Sequence, residues 1–296
     1  MSREVKNLVS ISVVFALGMF VFAGIAGAAV VGPYTVDANT LHLWHLDEAA
    51  GTGTAADVVG TANMGWVSGD ATQGASTYAG FGSSILAGAG GCAGYSNTSI
   101  ATAQSDYQGG NYGAFTYEAM VNVSTLTGAY QSIFTREGDV HDRCFQFRIT
   151  DTGGLQFAPV QGGTITTVAI PTTGADAFVA NEWFHTAVTG DGAGNLALYW
   201  TRVSDSATEA NLIGTGSFAG FSDAQNGETA IGEQDRGFGD IRGLPILGSI
   251  DEVRVSSIAR GADDMLFATV VPEPSTLALL ATGLFGLLCY AWKKRK

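Results

Sequence analysis

The chain has almost no cationic residues away from its ends. No lysine occurs between residues 7 and 292, and residues 31–270 carry 25 aspartates and glutamates against eight arginines, a net charge of −17. Binding to nucleic acid or to an anionic membrane surface needs a cationic footprint, so this composition excludes both as ligands of the region. An acidic surface of this kind suits divalent cations or neutral sugars.

Helical patterns are also missing between the termini, where no segment combines helical spacing of apolar residues with helix-forming residues. Glycine is abundant instead, with 41 among 296 residues. Turn sequences such as DTGG (151–154) and GDGAGN (190–195) separate short β-type runs. The pattern predicts one all-β domain over residues 29–270, a sandwich of two antiparallel sheets. The runs are LHLWHL (41–46), FTYEAMVNV (115–123), QSIFT (131–135), CFQFRIT (144–150), LQFAPV (155–160), TITTVAI (164–170), WFHTAVTG (183–190), NLALYWTR (195–202), ETAIGE (228–233) and GSIDEVRVS (248–256).

Both ends of the chain are predicted to be targeting segments. Residues 1–28 have a basic start, an apolar core and the small-residue sequence Ala26-Gly27-Ala28, which predicts a cleaved signal peptide; an uncleaved membrane anchor is the alternative. Residues 276–292 are uncharged and about 26 Å long as a helix, enough to cross a membrane. The basic residues 293–296 follow at once and would stay in the cytoplasm, leaving the body outside.

The motif Pro272-Glu273-Pro274 stands directly before this apolar span. Motif, span and basic tail together resemble the PEP-CTERM sorting signal of Gram-negative bacteria, over residues 271–296. The resemblance implies that an exosortase, a membrane peptidase, recognises Pro272, Glu273 and Pro274 and cuts near them, so that the single membrane pass is transient. It also implies export to the cell envelope, cell surface or extracellular matrix, and an association with exopolysaccharide.

Three stretches of the body carry a second resemblance. They are LHLWHLDEAAGTGTAADVVG (41–60), NEWFHTAVTGDGAGNLALYW (181–200) and AIGEQDRG with ILGSIDEVRVSSIAR (230–237 and 246–260). With FTYEAMVNV they are similar, in this order, to the strands of LamG-like, concanavalin A-like jelly rolls. The polar loop YWTRVSDSATEANLIG (199–214) is longer than the Asp-Gly hairpin that many relatives have at this place.

This resemblance implies a structural calcium site. Exported acidic sandwiches often tie strand ends together with Ca²⁺, which prefers carboxylate and carbonyl oxygens. Asp47 after the first strand and Asp251 on the closing strand are the expected ligands, with Asp57 next. The same three residues could equally cap turns.

The histidines do not form an obvious metal or catalytic site. His42 and His45 lie three residues apart on a predicted strand, where they point to opposite faces and cannot chelate one ion. His185 shares a predicted face with Trp183 and Ala187 and is interpreted as a half-buried structural histidine.

The stretch TREGDVHDRC (135–144) is the most enzyme-like. Some concanavalin-type glucanases carry an acid and a nucleophile at Glu-x-Asp-x-x-Glu spacing, and Glu137, Asp139 and Asp142 approximate that spacing. The stretch lies between two apolar runs, where a solvated hairpin loop is the preferred interpretation. We therefore expect no enzymatic activity.

Two cysteines, Cys92 and Cys144, lie in the exported part, and Cys289 lies in the predicted anchor. In an oxidising compartment the first two could form a disulfide worth about 4 kcal/mol, or remain two buried thiols. The sequence leaves both possibilities open.

The functional prediction is a non-catalytic, carbohydrate-binding jelly roll at the cell surface. Tyr107, Tyr112 and Phe238 in predicted loops could stack on sugar rings. The alternative is a structural, self-associating matrix protein without glycan binding. A glycoside hydrolase or lyase that depends on Glu137 is a third possibility.

Overall fold

The computed structural model describes residues 32–60, 62–66, 71–87, 95–97, 113–137, 143–159, 164–204, 206–219, 228–235 and 242–266. The body, Ala29–Ala268, forms one compact unit. In chain order the strands are β1 (Thr40–Trp44), β2 (Thr54–Ala55), β3 (Met64–Trp66), β4 (Thr72–Ala75), β5 (Ser84–Leu86), β6 (Tyr95–Asn97), β7 (Ala114–Val123), β8 (Gln131–Glu137), β9 (Arg143–Ile149), β10 (Gly154–Pro159), β11 (Thr166–Ala169), β12 (Trp183–Asp191), β13 (Asn195–Arg202), β14 (Leu212–Ser217), β15 (Glu228–Ile231), β16 (Gln234–Asp235), β17 (Arg242–Gly243) and β18 (Gly248–Ser256).

The strands form two large antiparallel sheets and one small ribbon. Sheet A has the order β14-β13-β12-β7-β18-β5-β4, with β1 also paired to β18, and sheet B has the order β11-β10-β9-β8-β15-β6-β3-β2. Strands β16 and β17 pair with each other. The predicted all-β sandwich is confirmed, and each of the ten predicted runs coincides with a strand. The sequence did not predict the short strands β2–β6, β14, β16 and β17.

No helix long and apolar enough to cross a membrane occurs in the part of the chain that the structure describes. The predicted signal peptide (1–28) and the predicted span (276–292) lie outside that part.

The main core lies between the two sheets and is largely aromatic. Because successive side chains of a strand point to opposite faces, Phe115 and Tyr117 of β7 both face sheet B. The Tyr117 ring lies 4.8 Å from that of Phe145, and the Phe115 ring lies 5.7 Å from that of Phe157. Such rings bury large apolar areas, so the core needs no covalent staple.

The closing strand β18 joins the two ends of the body. It pairs with β7 on one side and with β1 and β5 on the other, so the first and last strands are neighbours. A bulge between Asp251 and Arg254 adds one residue to β18. As a result Ile250 and Val253, three residues apart, both face the main core, and Asp251 and Glu252 lie between them.

A glycine on β12 is required by the close approach of an aromatic ring. A Cβ atom added to Gly190 would lie 2.2 Å from Cε1 of Phe115. Phe115 is fully buried and packs against other rings, so it has little room to move.

We predict that Gly190→Ala lowers the free energy of unfolding by about 1–3 kcal/mol, because the added methyl group overpacks the core. Urea denaturation followed by tryptophan fluorescence measures the change. Gly243→Ala is the matched control, since nothing lies within 4 Å of its added Cβ. Equal stability of the two variants would contradict the packing described here.

Candidate functional site

The face of sheet A that points away from sheet B, its outer face, is covered by the ends of the body. Four side chains of sheet A on this face pack in a second apolar cluster against residues from the segments 32–39, 76–83 and 257–266. Residues of the polar loop after β13 are buried in the same cluster. Its members are Tyr34, Leu43, Phe81, Met120, Ala187, Tyr199, Val203, Ala210, Met265 and Leu266. This face is therefore occupied by the chain itself.

A buried charged group lies at the centre of that face. The Nε of Arg254 donates a hydrogen bond to Oε1 of Glu118 at 2.7 Å, and Nε2 of His185 lies 3.2 Å from Oε2 of the same carboxylate. The Arg254 guanidinium also stacks on the Tyr34 ring, 4.3 Å from its centroid. His185 shares its face with Trp183, as predicted, but is fully buried rather than half-buried.

The partners of Glu118 keep its carboxylate ionised. Burial raises the pKa of Glu118, but the charge of Arg254 and the hydrogen bond from His185 outweigh burial and hold the pKa at about 2. Glu118 is fully buried, and Nε of Arg260 also lies 3.8 Å from its Oε1. Its role in the structure is that of a counter-ion.

A second arginine ties the two ends of the body together. Arg260 is almost fully buried and binds both carboxylate oxygens of Asp37, at 2.9 and 2.8 Å, while its Nε donates to Oγ of Ser256 at 2.7 Å. Nη1 of Arg260 also lies 3.3 Å from Oδ2 of Asp264. A bidentate arginine–carboxylate pair of this geometry fixes direction as well as distance. The N-terminal segment and the segment after β18 are held to the same place.

Two of the three predicted calcium ligands lie near the bulge of β18. Asp251 is fully buried; it accepts hydrogen bonds from the Thr77 hydroxyl and from the backbone N–H of Glu252. Burial raises the pKa of Asp251 to about 9, with the negative charges of Glu252 and Asp47 adding to the effect. Asp47 itself accepts a hydrogen bond from the Ser83 N–H at 2.6 Å. At neutral pH the Asp251 carboxyl therefore keeps its proton, and an ion that binds there would have to displace that proton.

His45, which lies beside Asp251 and Asp47, contacts the carboxylate of Glu252. Nδ1 of His45 lies 2.8 Å from Oε1 of Glu252, and the hydrogen bond raises the pKa of His45. The other oxygen of Glu252 accepts the Tyr34 N–H at 2.8 Å, so this carboxylate connects β18 with the N-terminal segment. His42 contacts a different carboxylate, that of Asp57, in agreement with the predicted opposite directions of the two histidines.

Protein groups, rather than a metal ion, satisfy the carboxylate of Asp57 in the structure. Its two oxygens accept hydrogen bonds from His42 at 2.8 Å and from the backbone N–H groups of Leu43, Val59 and Ala62. Burial raises the pKa of Asp57, but these hydrogen bonds lower it further than burial raises it. The residue caps a turn. Within the described ranges, no three His, Cys, Asp or Glu side chains converge closely enough to hold a metal ion.

The face of sheet B that points away from sheet A, its outer face, is polar. On β9 and β10, Gln146, Arg148 and Gln156 alternate with the buried rings, and register places Arg148, Gln156 and Thr167 opposite one another on β9, β10 and β11. Gln146 and Gln156 are buried and Arg148 is half-buried, whereas Thr167 is exposed. Nε of Arg148 donates to Oε1 of Gln156 at 2.8 Å, and Nε2 of Gln156 donates to Oγ1 of Thr167 at 2.8 Å. The Arg148 guanidinium lies 4.3 Å from the Tyr130 ring centroid.

This polar row lies toward one edge of sheet B. On β8 the same face is partly covered, because the Thr135 hydroxyl donates to the Glu233 carbonyl at 3.0 Å and β16 lies against β8. Strand β11 forms the edge, and its Thr167 is exposed. The row Arg148–Gln156–Thr167 is called the donor row below.

Several predicted site residues lie outside the described residues. They are the sorting motif Pro272, Glu273 and Pro274, the aromatics Tyr107, Tyr112 and Phe238, the carboxylates Asp139 and Asp142, and Cys92 and Cys289. Glu137 ends β8, and Cys144 is fully buried in the main core. The sequence did not single out Glu118, Arg254, Arg260 or the donor row.

Two family profiles match the chain. The profile described as the concanavalin A-like lectin/glucanases superfamily matches residues 94–265, and the PEP-CTERM protein-sorting motif matches residues 270–296. The sorting motif indicates export and sorting to the cell envelope, and it implies processing by an exosortase. No curated protein matches the sequence.

Solved structures align with this chain at low sequence identity. The binding domain of Botulinum neurotoxin DC, solved in complex with rat synaptotagmin II, aligns with a TM-score of 0.52 and 12% identity over 78% of this chain and 51% of that one. The Botulinum neurotoxin type G receptor binding domain aligns at 0.48 and 11%, over 78% and 50%. Trypanosoma rangeli sialidase in complex with sialic acid aligns at 0.48 and 13%, over 88% and 38%. The chain thus spans about half or less of these proteins.

We predict that Glu118→Gln lowers the free energy of unfolding by about 3–5 kcal/mol, because it leaves Arg254 buried without a counter-charge. The folded pKa of about 2 lies below the ordinary 4.5, so Glu118 contributes stability above pH 4.5 that disappears as the pH falls toward 2. That difference corresponds to about 3 kcal/mol.

Urea denaturation at several pH values between 2 and 7 measures both effects. Between pH 4.5 and 2 the free energy of unfolding of the wild type should fall as Glu118 takes up a proton, and the Glu118→Gln variant should lack this contribution. Glu182→Gln is the control, since Glu182 pairs with Arg202 at 3.0 Å on the surface. Identical pH profiles for the wild type and Glu118→Gln would contradict the assignment.

Proposed function

We propose that this chain, which belongs to the concanavalin A-like lectin/glucanases superfamily, is a non-catalytic protein that binds polysaccharide outside the cell. Its PEP-CTERM motif accounts for export and processing. In this proposal residues 276–292 cross the membrane until the exosortase cuts near Pro272, Glu273 and Pro274, and the body then stays in the matrix by binding exopolysaccharide.

The observation that carries the proposal is the difference between the two outer faces. The outer face of sheet A is filled by the apolar cluster and by the Glu118–Arg254 pair. The outer face of sheet B carries arginine, glutamine and threonine side chains in register across three strands, and it becomes exposed toward the edge strand β11, at Thr167. Amide, hydroxyl and guanidinium groups on a rigid sheet suit the hydroxyls and oxygens of a sugar chain.

The contacts of the described histidines support a role without catalysis. His42, His45 and His185 each lie within hydrogen-bond distance of a carboxylate that fixes a turn or a strand. The third possibility, a glycoside hydrolase or lyase that depends on Glu137, would require measurable turnover of a glycan, and Glu137→Gln would have to abolish that turnover. The predicted loop aromatics Tyr107, Tyr112 and Phe238 remain candidates for stacking on the bound sugar.

We predict that Arg148→Ala weakens binding to the recognised polysaccharide about tenfold or more, since charge-assisted hydrogen bonds contribute about 1.5–3 kcal/mol. A polysaccharide array identifies the ligand, and calorimetry of the purified protein measures the affinity. Arg202→Ala is the matched control: Arg202 is also a surface arginine above an aromatic ring, 5.9 Å from Phe184, but belongs to sheet A.

An equal loss in both variants would contradict the assignment of the ligand to sheet B. A folded protein that binds no polysaccharide, yet self-associates, would favour the structural matrix protein over the carbohydrate-binding one.

We also propose that Asp47 and Asp251 take part in a structural calcium site. The support is the family resemblance together with the position of Asp47, whose charge raises the pKa of the buried Asp251; a hard divalent cation that binds there would replace the proton that Asp251 holds at neutral pH. Since only two predicted ligands meet there, backbone carbonyls or water would supply the others. When bound, the ion would tie the closing strand to the segment after β1. Asp57 is left out of the site because its oxygens are already engaged.

We predict that removing calcium with a chelator lowers the melting temperature of the wild type by about 5–10 °C. Calcium at a hundred times its dissociation constant stabilises a fold by about 2.7 kcal/mol, and each kcal/mol shifts the melting temperature by about 2–4 °C at this size. Differential scanning calorimetry measures the shift. Asp57→Asn should keep the response to chelator, whereas Asp251→Asn should lose it. A wild type that melts at the same temperature with and without chelator would contradict the site.

A further inference from the structure

We infer that sheet A continues into a second copy of this chain, through antiparallel pairing of the edge strand β14 (Leu212–Ser217) with the same strand of that copy. The inference goes beyond the proposed function and does not depend on it. It rests on three features of one side of the sandwich: outward backbone groups, a lack of charged residues, and two sheet edges that lie together.

The backbone of β14 has hydrogen-bonding groups that face away from β13, the strand it pairs with in the described part of the chain. In an antiparallel pair, residues that exchange both backbone hydrogen bonds alternate with residues that exchange none. The N–H of Phe218 donates to the Gly194 carbonyl at 2.8 Å, and register then makes Gly216 the next bonded residue. The backbone groups of Thr215 and Ser217 therefore point outward from the edge, and both residues are exposed.

The edge of sheet B lies against the edge of sheet A. A Cβ atom added to Gly214 would lie 2.7 Å from Cγ1 of Val168, so this side chain of β11 fills the space beside β14. Register and the backbone hydrogen bond from Ile170 give the same alternation on β11, and Thr167 and Ala169 direct their backbone groups outward. The two sheets thus end on the same side of the sandwich.

Both edges have little of what usually keeps other strands away. Natural proteins blunt exposed edges with charged side chains, proline or bulges. Residues 152–175 and 210–222 include both edges and contain no charged residue, and neither strand contains proline. The one irregularity of β14 lies at its start, beside Leu212. Leu212 and Ile165, the large apolar side chains at the two edges, are each more than half exposed.

A second copy fits this side because it brings the same two edges. An unrelated strand could pair with β14 alone, whereas a two-fold axis perpendicular to the sheets matches β14 with β14 and β11 with β11. Antiparallel pairing suits identical strands, since outward donors and acceptors alternate along both. The net charge of −17 over residues 31–270 makes two copies repel each other, and they repel least where the surface lacks charge.

The size of the contact predicts a weak dimer. Six strand residues extend about 20 Å, and two sheets about 10 Å apart, with their outer side chains, are about 20 Å thick. The resulting area of about 400 Å² per copy lies at the low end of specific interfaces. We therefore expect a dissociation constant of about 10–500 µM, and an assembly that closes at two copies.

Two measurements on the processed protein, without its predicted targeting segments, test the inference. Sedimentation velocity from about 1 µM to about 1 mM, in about 0.15 M salt, gives the stoichiometry. Hydrogen exchange followed by NMR at both ends of that range locates the contact. The amide hydrogens of Thr215 and Ser217 should exchange about tenfold or more slowly in the concentrated sample. The Gly216 amide, bonded to β13, should exchange slowly in both.

Thr215→Glu is the variant that should weaken the dimer. It places like charges near the two-fold axis and leaves the backbone bonds to β13 in place, so dimerisation should weaken about tenfold or more. Thr72→Glu is the matched control, because Thr72 is an exposed threonine on β4, at the opposite edge of the same sheet. Equal melting temperatures of the two variants would show that both are folded.

A dimer with slowed exchange at Thr215 and Ser217, weakened by Thr215→Glu and not by Thr72→Glu, would support the inference. A protein that stays monomeric throughout the range, or that forms assemblies larger than a dimer, would overturn it. A dimer whose Thr215 and Ser217 amides exchange as fast as in the monomer, or that both variants affect equally, would overturn it as well. Polysaccharide binding is measured separately, at concentrations where the protein is monomeric.

Discussion

The fold depends on the buried pair of Glu118 and Arg254. Glu118 belongs to β7 and Arg254 to β18, neighbouring central strands of sheet A, and the Tyr34 ring on Arg254 brings in the N-terminal segment. Removing either partner would leave an uncompensated charge in the interior, which is strongly destabilising. The two strands and the N-terminal segment are therefore held together around this pair. Because the outer face of sheet A has this task, the proposed ligand is assigned to sheet B, toward the edge strand β11, where Thr167 is exposed.

The sequence predicted the strands and their inward faces but could not predict what covers them. In FTYEAMVNV the alternation places Glu118 opposite Phe115 and Tyr117, away from the main core. A strand pattern contains no information on whether that second face meets water. Here residues about 140 positions further along, around Arg260, bury it. Burial of Glu118 is therefore a result of tertiary structure.

The same limit applies to the candidate sites. The family resemblance indicated Asp47, Asp57 and Asp251 as one set of ligands. In the structure Asp57 caps a turn beside His42, while Asp251 and Asp47 lie near the bulge of β18, where burial and the charge of Asp47 raise the pKa of Asp251. For the donor row, the sequence predicted the face of the sheet but not the contacts between the side chains. Alternation in CFQFRIT and LQFAPV places the polar residues on one face, but only the register between the strands brings Arg148 and Gln156 into contact.

The central claim is that the ligand lies on the outer face of sheet B. Hydroxyl-radical footprinting of the protein, with and without saturating polysaccharide, tests this claim most directly because it reports on individual side chains. The account predicts that labelling of Tyr130, which lies under Arg148, falls on binding, while labelling of Trp183 on the outer face of sheet A is unchanged. Protection of Trp183 with Tyr130 unchanged would contradict the account.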